Sequence, residues 1–167
     1  VWAEFQEQDL PINLHAGTAG TTTSTILYPE LDTPCWYLLS NEATDELLGF
    51  MSFFQGAVFD RFPRLRLVIL EAGCAWAPWL LHRMDEKYDI LGFTIDLKRR
   101  PSEYFREACW ISMDPDDELA SWTIQQLGAD RVMWAYDYPH SDSPVNPVAN
   151  LRDTLKGLLE ADQIKVM

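Results

Sequence analysis

Four short apolar runs, at residues 12–15, 65–70, 109–113 and 131–136, punctuate the chain, and a helix-forming segment follows each of them. Runs this continuous, rich in Leu, Ile and Val, suit strands buried on both faces rather than strands with one wet side. Strands separated by helices pair in parallel, because a right-handed crossover returns each strand beside its predecessor. The expected class is therefore α/β, with a parallel sheet of about four strand-helix units. An eight-fold barrel takes about 250 residues, or about 31 per unit. The 167 residues present then read as a single domain over 1–167 that is a partial (β/α)8 barrel, about half of one. An open flavodoxin-like sheet is the rival architecture, and it predicts a phosphate loop after the first strand, for which Ala16-Gly17-Thr18 is weak support.

The helices announce themselves by spacing. Leu47, Met51, Phe54 and Val58 recur at helical intervals, with Asn41 or Thr44 as candidate N-cap and acids at 42, 45 and 46 near the positive dipole end. Phe62-Pro63 breaks that helix. Trp76, Leu80, Met84 and Tyr88 fall four apart, with Pro78 tolerated in the first turn. Asp114 as N-cap, Pro115 after it and Gly128 beyond the end bracket a third helix, and Asn146-Pro147 opens a last one carrying Leu151, Leu155 and Leu158 on one face. Residues 97–107 read as a charged excursion. Residues 18–40 are rich in Thr and Pro without periodicity, too long for an ordinary connection, and are expected to cover the mouth of a site. Residues 1–9 read as the closing turns of a helix with no start signal, and the far end lacks a stop, so the chain is expected to be a piece of a longer one.

Acids outnumber bases 26 to 13, for a net charge of −13. Such a surface repels phosphate backbones and anionic lipid, which argues against nucleic-acid and membrane partners and for a small-molecule substrate. With no apolar run of about 18 residues and no leader-like start, the expected location is the cytoplasm. Cys35, Cys74 and Cys109 are odd in number and scattered, so neither disulfides nor a thiolate metal site is expected.

His15, Glu71 and Asp137 each end or closely follow an apolar run. In a parallel α/β sheet the carboxyl ends of the strands line the site, so these side chains are expected to share one mouth. An imidazole and two carboxylates suit a divalent metal such as zinc, manganese or iron, or acid/base chemistry. Taken singly, each has a plainer role: a hydrogen-bonded strand-end histidine, a helix cap at Glu71, a turn at Asp137. His140 could orient Asp137 or contact substrate, Trp76 with Trp79 and Arg83 could wall the pocket or simply pack, and His82 fits a surface position on its helix.

Four separated stretches carry a resemblance. They are Ile12-Asn13-Leu14-His15-Ala16-Gly17-Thr18; Phe62-Pro63-Arg64-Leu65-Arg66-Leu67-Val68-Ile69-Leu70-Glu71-Ala72-Gly73, with Trp76, Pro78 and Arg83 beyond; Pro101-Ser102-Glu103-Tyr104-Phe105; and Asp137-Tyr138-Pro139-His140. In this order they resemble the amidohydrolase-related TIM-barrel family that includes aminocarboxymuconate-semialdehyde decarboxylase, over strands five to eight. The resemblance implies metal-ligand roles for His15 and Asp137, usually to zinc, with Asp137 also able to take a proton from metal-bound water. It makes the chain the carboxyl-terminal half of a metal-dependent hydrolase acting on a carbonyl substrate, with Glu71 as auxiliary acid or base. Decarboxylation by the same family is the alternative.

Two departures bear on that expectation. Decarboxylase-type members place a His-Gly-Gly run where this chain has Glu71-Ala72-Gly73, and the first-strand His-x-His metal pair has no counterpart among His15, His82 and His140. Catalytic ions usually have three or more protein ligands, so the chain alone is expected to be inactive, completed by an amino-terminal half. A non-catalytic binding module is the reading from another class, and open sheet edges make a homo-oligomer the expected state of the isolated chain.

Overall fold

Leu67, Ile69, Cys109, Ile111 and Val132 are almost wholly buried, and each lies on a strand whose alternate residues point the other way. The computed structural model describes residues 1–15, 33–140 and 143–167. Its strands are β1 (Ile12–His15), β2 (Leu67–Leu70), β3 (Cys109–Met113) and β4 (Val132–Trp134), all parallel in the order β1-β2-β3-β4. Ile12 pairs with Leu67 and His15 with Leu70, Leu67 with Cys109, and Ile111 with Val132. Sequential parallel neighbours are what successive right-handed crossovers produce.

The register puts Ile12, Leu14, Leu67, Ile69, Cys109 and Ile111 on one face, under the helices. Asn13, His15, Val68, Leu70 and Trp110 lie on the other. That second face is only half covered: Asn13 and His15 are exposed and Val68, Leu70 and Trp110 intermediate. The expectation of strands buried on both faces therefore holds for one face only, among the described residues. β4 is also shorter than its apolar run, ending at Trp134.

The helices are α1 (Trp2–Glu7), α2 (Pro34–Leu39), a π-helical turn (Ser40–Thr44), α3 (Asp45–Gln55), α4 (Val58–Arg61), α5 (Trp76–Leu91), α6 (Pro101–Ala108), α7 (Ala120–Leu127), α8 (Pro147–Leu155) and α9 (Glu160–Val166). None is long and apolar enough to cross a membrane. α3 buries Phe50, Phe53 and Phe54 against the sheet. Phe50 meets Phe54 edge-on at 4.9 Å and Phe105 of α6 at 6.1 Å, while Phe59 of α4 stacks on Tyr104 at 6.0 Å. Each such ring pair adds about 0.5–1.5 kcal/mol beyond burial, so the aromatic cluster fixes α3, α4 and α6 together.

Several local expectations are corrected. No side chain caps α3 at Thr44, because α2 and the π-helical turn run into it without a fresh start. The bracketed third helix begins at Ala120, not at Asp114: residues 114–119 form turns, with Asp117 N–H donating to the Asp114 carbonyl at 3.1 Å and the Asp117 carboxylate accepting from Leu119 N–H at 2.9 Å. The charged excursion contains α6, opened by Pro101 and by the Glu103 carboxylate accepting from Arg100 N–H at 2.9 Å. Its charges occupy the wet side while Tyr104 and Phe105 are buried, which a composition reading averages away. Of the expected covering segment, 18–40, residues 18–32 lie outside the described residues, and its end is α2 rather than loop. Of the cysteines, Cys35 is exposed while Cys74 and Cys109 are buried. Burial pushes the Cys74 thiol up to about 12 and the Cys109 thiol up as well, which leaves both unreactive.

Candidate active site

The carboxyl ends of the four strands place their next residues at one rim. His15 is the last residue of β1, Glu71 follows β2 directly, Asp114 follows β3, and Asp137 comes three residues after β4. Glu71 has a φ of 58°, the left-handed region that a side chain with a Cβ enters at a cost. Its amide donates to the Ser112 hydroxyl of β3 at 3.1 Å, which helps hold that backbone. The carboxylate is thereby turned toward the strand on its other side, where Oε2 lies 3.0 Å from His15 Nε2.

Hydrogen bonds among the described residues Tyr136, Asp137, His140, Ser143 and Pro144 gather them at the rim. His140 N–H donates to the Asp137 carbonyl at 2.7 Å, the Ser143 hydroxyl donates to the same carbonyl at 2.9 Å, and the Tyr136 hydroxyl donates to the Pro144 carbonyl at 3.1 Å. This brings His140 Nδ1 to 3.7 Å from Asp137 Oδ2 and 3.9 Å from Glu71 Oε1. Glu71, Asp137 and His140 each present one ligand atom within 4.8 Å of the others. A small cleft of about 110 Å³ lies here, lined among others by Glu42, Glu71, Asp114, Tyr136 and Asp137.

The electrostatics are one-sided. No Lys or Arg lines the cleft among the described residues, and none occurs in the sequence before Arg61. Burial raises the pKa of Glu71 above the ordinary carboxylate value; His15 and His140 pull it down, and the charge and hydrogen bond of Asp137 push it further up. Behind the rim, Glu46 on α3 is 2% exposed, and neither of its carboxylate oxygens has a hydrogen-bond partner among the described residues. Burial, then the charge of Glu71, pushes its pKa up to about 8.

Four sequence-predicted residues thus meet: His15, Glu71, Asp137 and His140. Three of them form the compact donor set, and His15 joins it through Glu71. Trp76 does not line the cleft; its indole N–H donates to the Ala72 carbonyl at 3.1 Å and its ring lies edge-on to Phe50 at 6.0 Å. Trp79 is exposed, and Arg83 pairs with Glu86 on α5, away from this cleft. His82 is at the surface. Asp114, Glu42 and Glu46 were missed as site residues. Asp114 had a signal, since it follows an apolar run as Glu71 does, but its cap-like neighbours Pro115 and Asp116 pointed elsewhere. Glu42 and Glu46 had none, because the helix that brings them in is positioned by packing.

Comparison with known proteins gives this geometry a context. The family model described as amidohydrolase, Amidohydro_2, matches residues 1–167. The chain belongs to the amidohydrolase family. Gamma-resorcylate decarboxylase of Rhizobium radiobacter is 25% identical over 173 residues, covering 99% of this chain and 50% of that relative. A crystal structure of an amidohydrolase from Mycobacterium avium subsp. paratuberculosis K-10 superposes with a TM-score of 0.82 at 24% identity, covering 99% of this chain and 42% of that one. A dihydroxybenzoic acid decarboxylase from Polaromonas sp. JS666, solved with bound manganese and the inhibitor 2-nitroresorcinol, superposes at 0.73 with 20% identity, over 99% of this chain and 49% of that one. The chain spans about half the length of these relatives, and its four-stranded parallel sheet with helices is part of their barrel architecture. The named relatives of known activity are decarboxylases rather than hydrolases, which shifts the weight between the two activities that the residues alone left open.

Proposed function

We propose that this chain supplies the carboxyl-terminal half, strands five to eight, of a metal-dependent amidohydrolase-family barrel that decarboxylates a small aromatic acid. The observation that carries the reading is the convergence of His15, Glu71, Asp137 and His140 at the strand ends. The decarboxylase relatives support this choice of activity over the hydrolase expected first.

The donor set fits a divalent cation: two carboxylates and an imidazole within 4.8 Å, a second imidazole on Glu71, and no Lys or Arg lining the cleft among the described residues. Asp137 and His15, with Glu71 or His140, would hold the ion, and the other half of the barrel would add ligands. Bound there, it supplies a Lewis-acid charge that orients the substrate's oxygen atoms and draws electron density from them. The residues of this chain then handle protons. Loss of carbon dioxide leaves an electron pair on a ring carbon that needs a proton. Glu71, whose pKa is raised by burial and by Asp137, is suited to carry that proton and deliver it to the ring carbon, and a proton taken up from water by way of Asp137 and His140 restores the acid. Tyr136, Asp137, Ser143 and Pro144 form one wall of the cleft.

Hydrolysis is the second reading, and one observation favours it: a carboxylate at 71 can serve as a general base for water but offers no positive charge to a substrate carboxylate. Expressing the gene with its coding sequence upstream of Val1 separates the two. With manganese present, carbon dioxide release from 2,6-dihydroxybenzoate that disappears in Asp137→Asn supports the decarboxylase. Turnover of 4-nitrophenyl acetate alone, lost in the same variant, supports the hydrolase. Retention of either activity in Asp137→Asn overturns the site.

A further inference from the structure

A second cleft, of about 430 Å³, opens on the helical side of the sheet, between α3 and α5. Its floor is apolar, built by Phe54, Leu80, Met84 and Leu97. It reaches Gln55 and Leu91, the last residues of their helices. Crossover helices run antiparallel to their strands, so these ends lie toward the amino-terminal edge of the sheet, away from the His15–Asp137 rim. The cleft is therefore a separate place in the molecule.

Its charge runs against the rest of the chain. Acids exceed bases two to one overall, yet among the described residues no carboxylate lines this cleft, and its charged lining residues are Arg83 and Lys87. They stand four apart on α5, one turn along the same side. Arg83 Nη1 is engaged by Glu86 at 2.5 Å, whereas Lys87 is exposed and has no ion pair among the described residues. The end of α5 beside them is fastened: the Tyr88 hydroxyl donates to the Leu97 carbonyl at 3.0 Å, and the Tyr88 ring packs so close to Gly92 that a Cβ there would lie 3.1 Å from it. A preformed apolar cavity of this size falls within the range of small-ligand sites, about 300–1,000 Å³.

We propose that this cleft binds a small amphipathic anion, a monocarboxylate whose apolar chain or ring fills the floor and whose head pairs with Lys87, with Arg83 adjoining. Water in such a cavity gains little hydrogen bonding from its walls, so an apolar body replaces it favourably. The cationic rim then selects an acid over a neutral molecule of the same shape.

The probe is sodium octanoate, titrated calorimetrically into the protein expressed with its coding sequence upstream of Val1 and also used to displace 8-anilinonaphthalene-1-sulfonate fluorescence, with light scattering at the same concentrations. Saturable octanoate binding is expected, stronger than that of 1-octanol. Lys87→Glu is expected to weaken it about three- to five-fold or more, the effect of an exposed ion pair. Ser52→Trp, at an exposed α3 position lining the cleft, is expected to abolish it while the circular dichroism spectrum stays unchanged. Equal binding of octanol and octanoate, or octanoate binding indifferent to both variants, overturns the proposal. So does octanoate binding that is lost as the chain self-associates, which would make the cleft an interface between copies.

Discussion

His15 Nε2 and Glu71 Oε2 lie 3.0 Å apart, a contact that joins the ends of two adjacent strands across 56 positions of sequence. Glu71 makes it from a backbone conformation with φ of 58°. Left-handed backbone costs a residue with a Cβ about 1–2 kcal/mol, and glycine avoids that cost. A carboxylate kept in such a place points to a role for the side chain itself.

Glu71→Gly separates that role from stability. Relief of the strained backbone opposes the loss of the His15 contact and the greater freedom of glycine in the unfolded chain. The unfolding free energy is expected to stay level or rise by up to about 1 kcal/mol, while divalent-ion binding weakens. Urea denaturation checks the first part. A loss above about 2 kcal/mol would make Glu71 a structural residue.

Metal content tests the incomplete donor set. The isolated chain, purified without a tag, is expected to carry well below one divalent ion per molecule, since sites with few protein ligands hold ions weakly. Manganese added back should bind through Asp137, and Asp137→Asn should weaken that binding by about 10–100-fold. Elemental analysis at full occupancy, or unchanged affinity in the variant, would contradict the assignment.

Glu46 sets a pH dependence whose sign follows from its raised pKa. The unfolded chain releases this proton near 4.5, whereas the folded chain holds it up to about 8. The folded state binds more protons between those values, so this group's contribution makes stability fall as pH rises from 4.5 to about 8. Glu46→Gln removes the titration. The variant is expected to gain on the parent as pH increases, reaching about 1–3 kcal/mol at pH 8. Thermal unfolding at pH 5 and pH 8 reads the difference, and parallel pH profiles for the two proteins would refute it.

The sheet edges carry a prediction about association. β1 and β4 each have one neighbour among the described strands, and an unpaired parallel edge presents amides and carbonyls to any strand that fits. The chain on its own is expected to dimerise or aggregate. A monodisperse monomer in light scattering at high concentration would count against the half-barrel arrangement.

The strands, the parallel class and the helices at Trp76–Leu91 and Pro147–Leu155 were legible along the chain, because apolar spacing and proline placement act over a few residues. So was the placement of His15, Glu71 and Asp137 at one rim, each marked by the end of an apolar run. Local signals misled where a distant group intervenes. Asp114 looks like a cap, yet it lines the cleft while Asp117 shapes the turn before α7. Residues 97–107 look like a loop, yet Tyr104, whose hydroxyl donates to Asp60 at 2.6 Å, is buried in α6.

What sequence by itself determined was the kind of layer this chain builds and which edge of it bears polar groups, since strand alternation and crossover handedness are consequences of local chirality and hydrophobic period. Tertiary structure decided the rest. It set the left-handed turn at Glu71, the return of His140 onto Asp137, the burial of Glu46 behind the rim, and the apolar cleft between α3 and α5. These depend on distances between segments remote in the chain, and such distances arise only when the helices have packed.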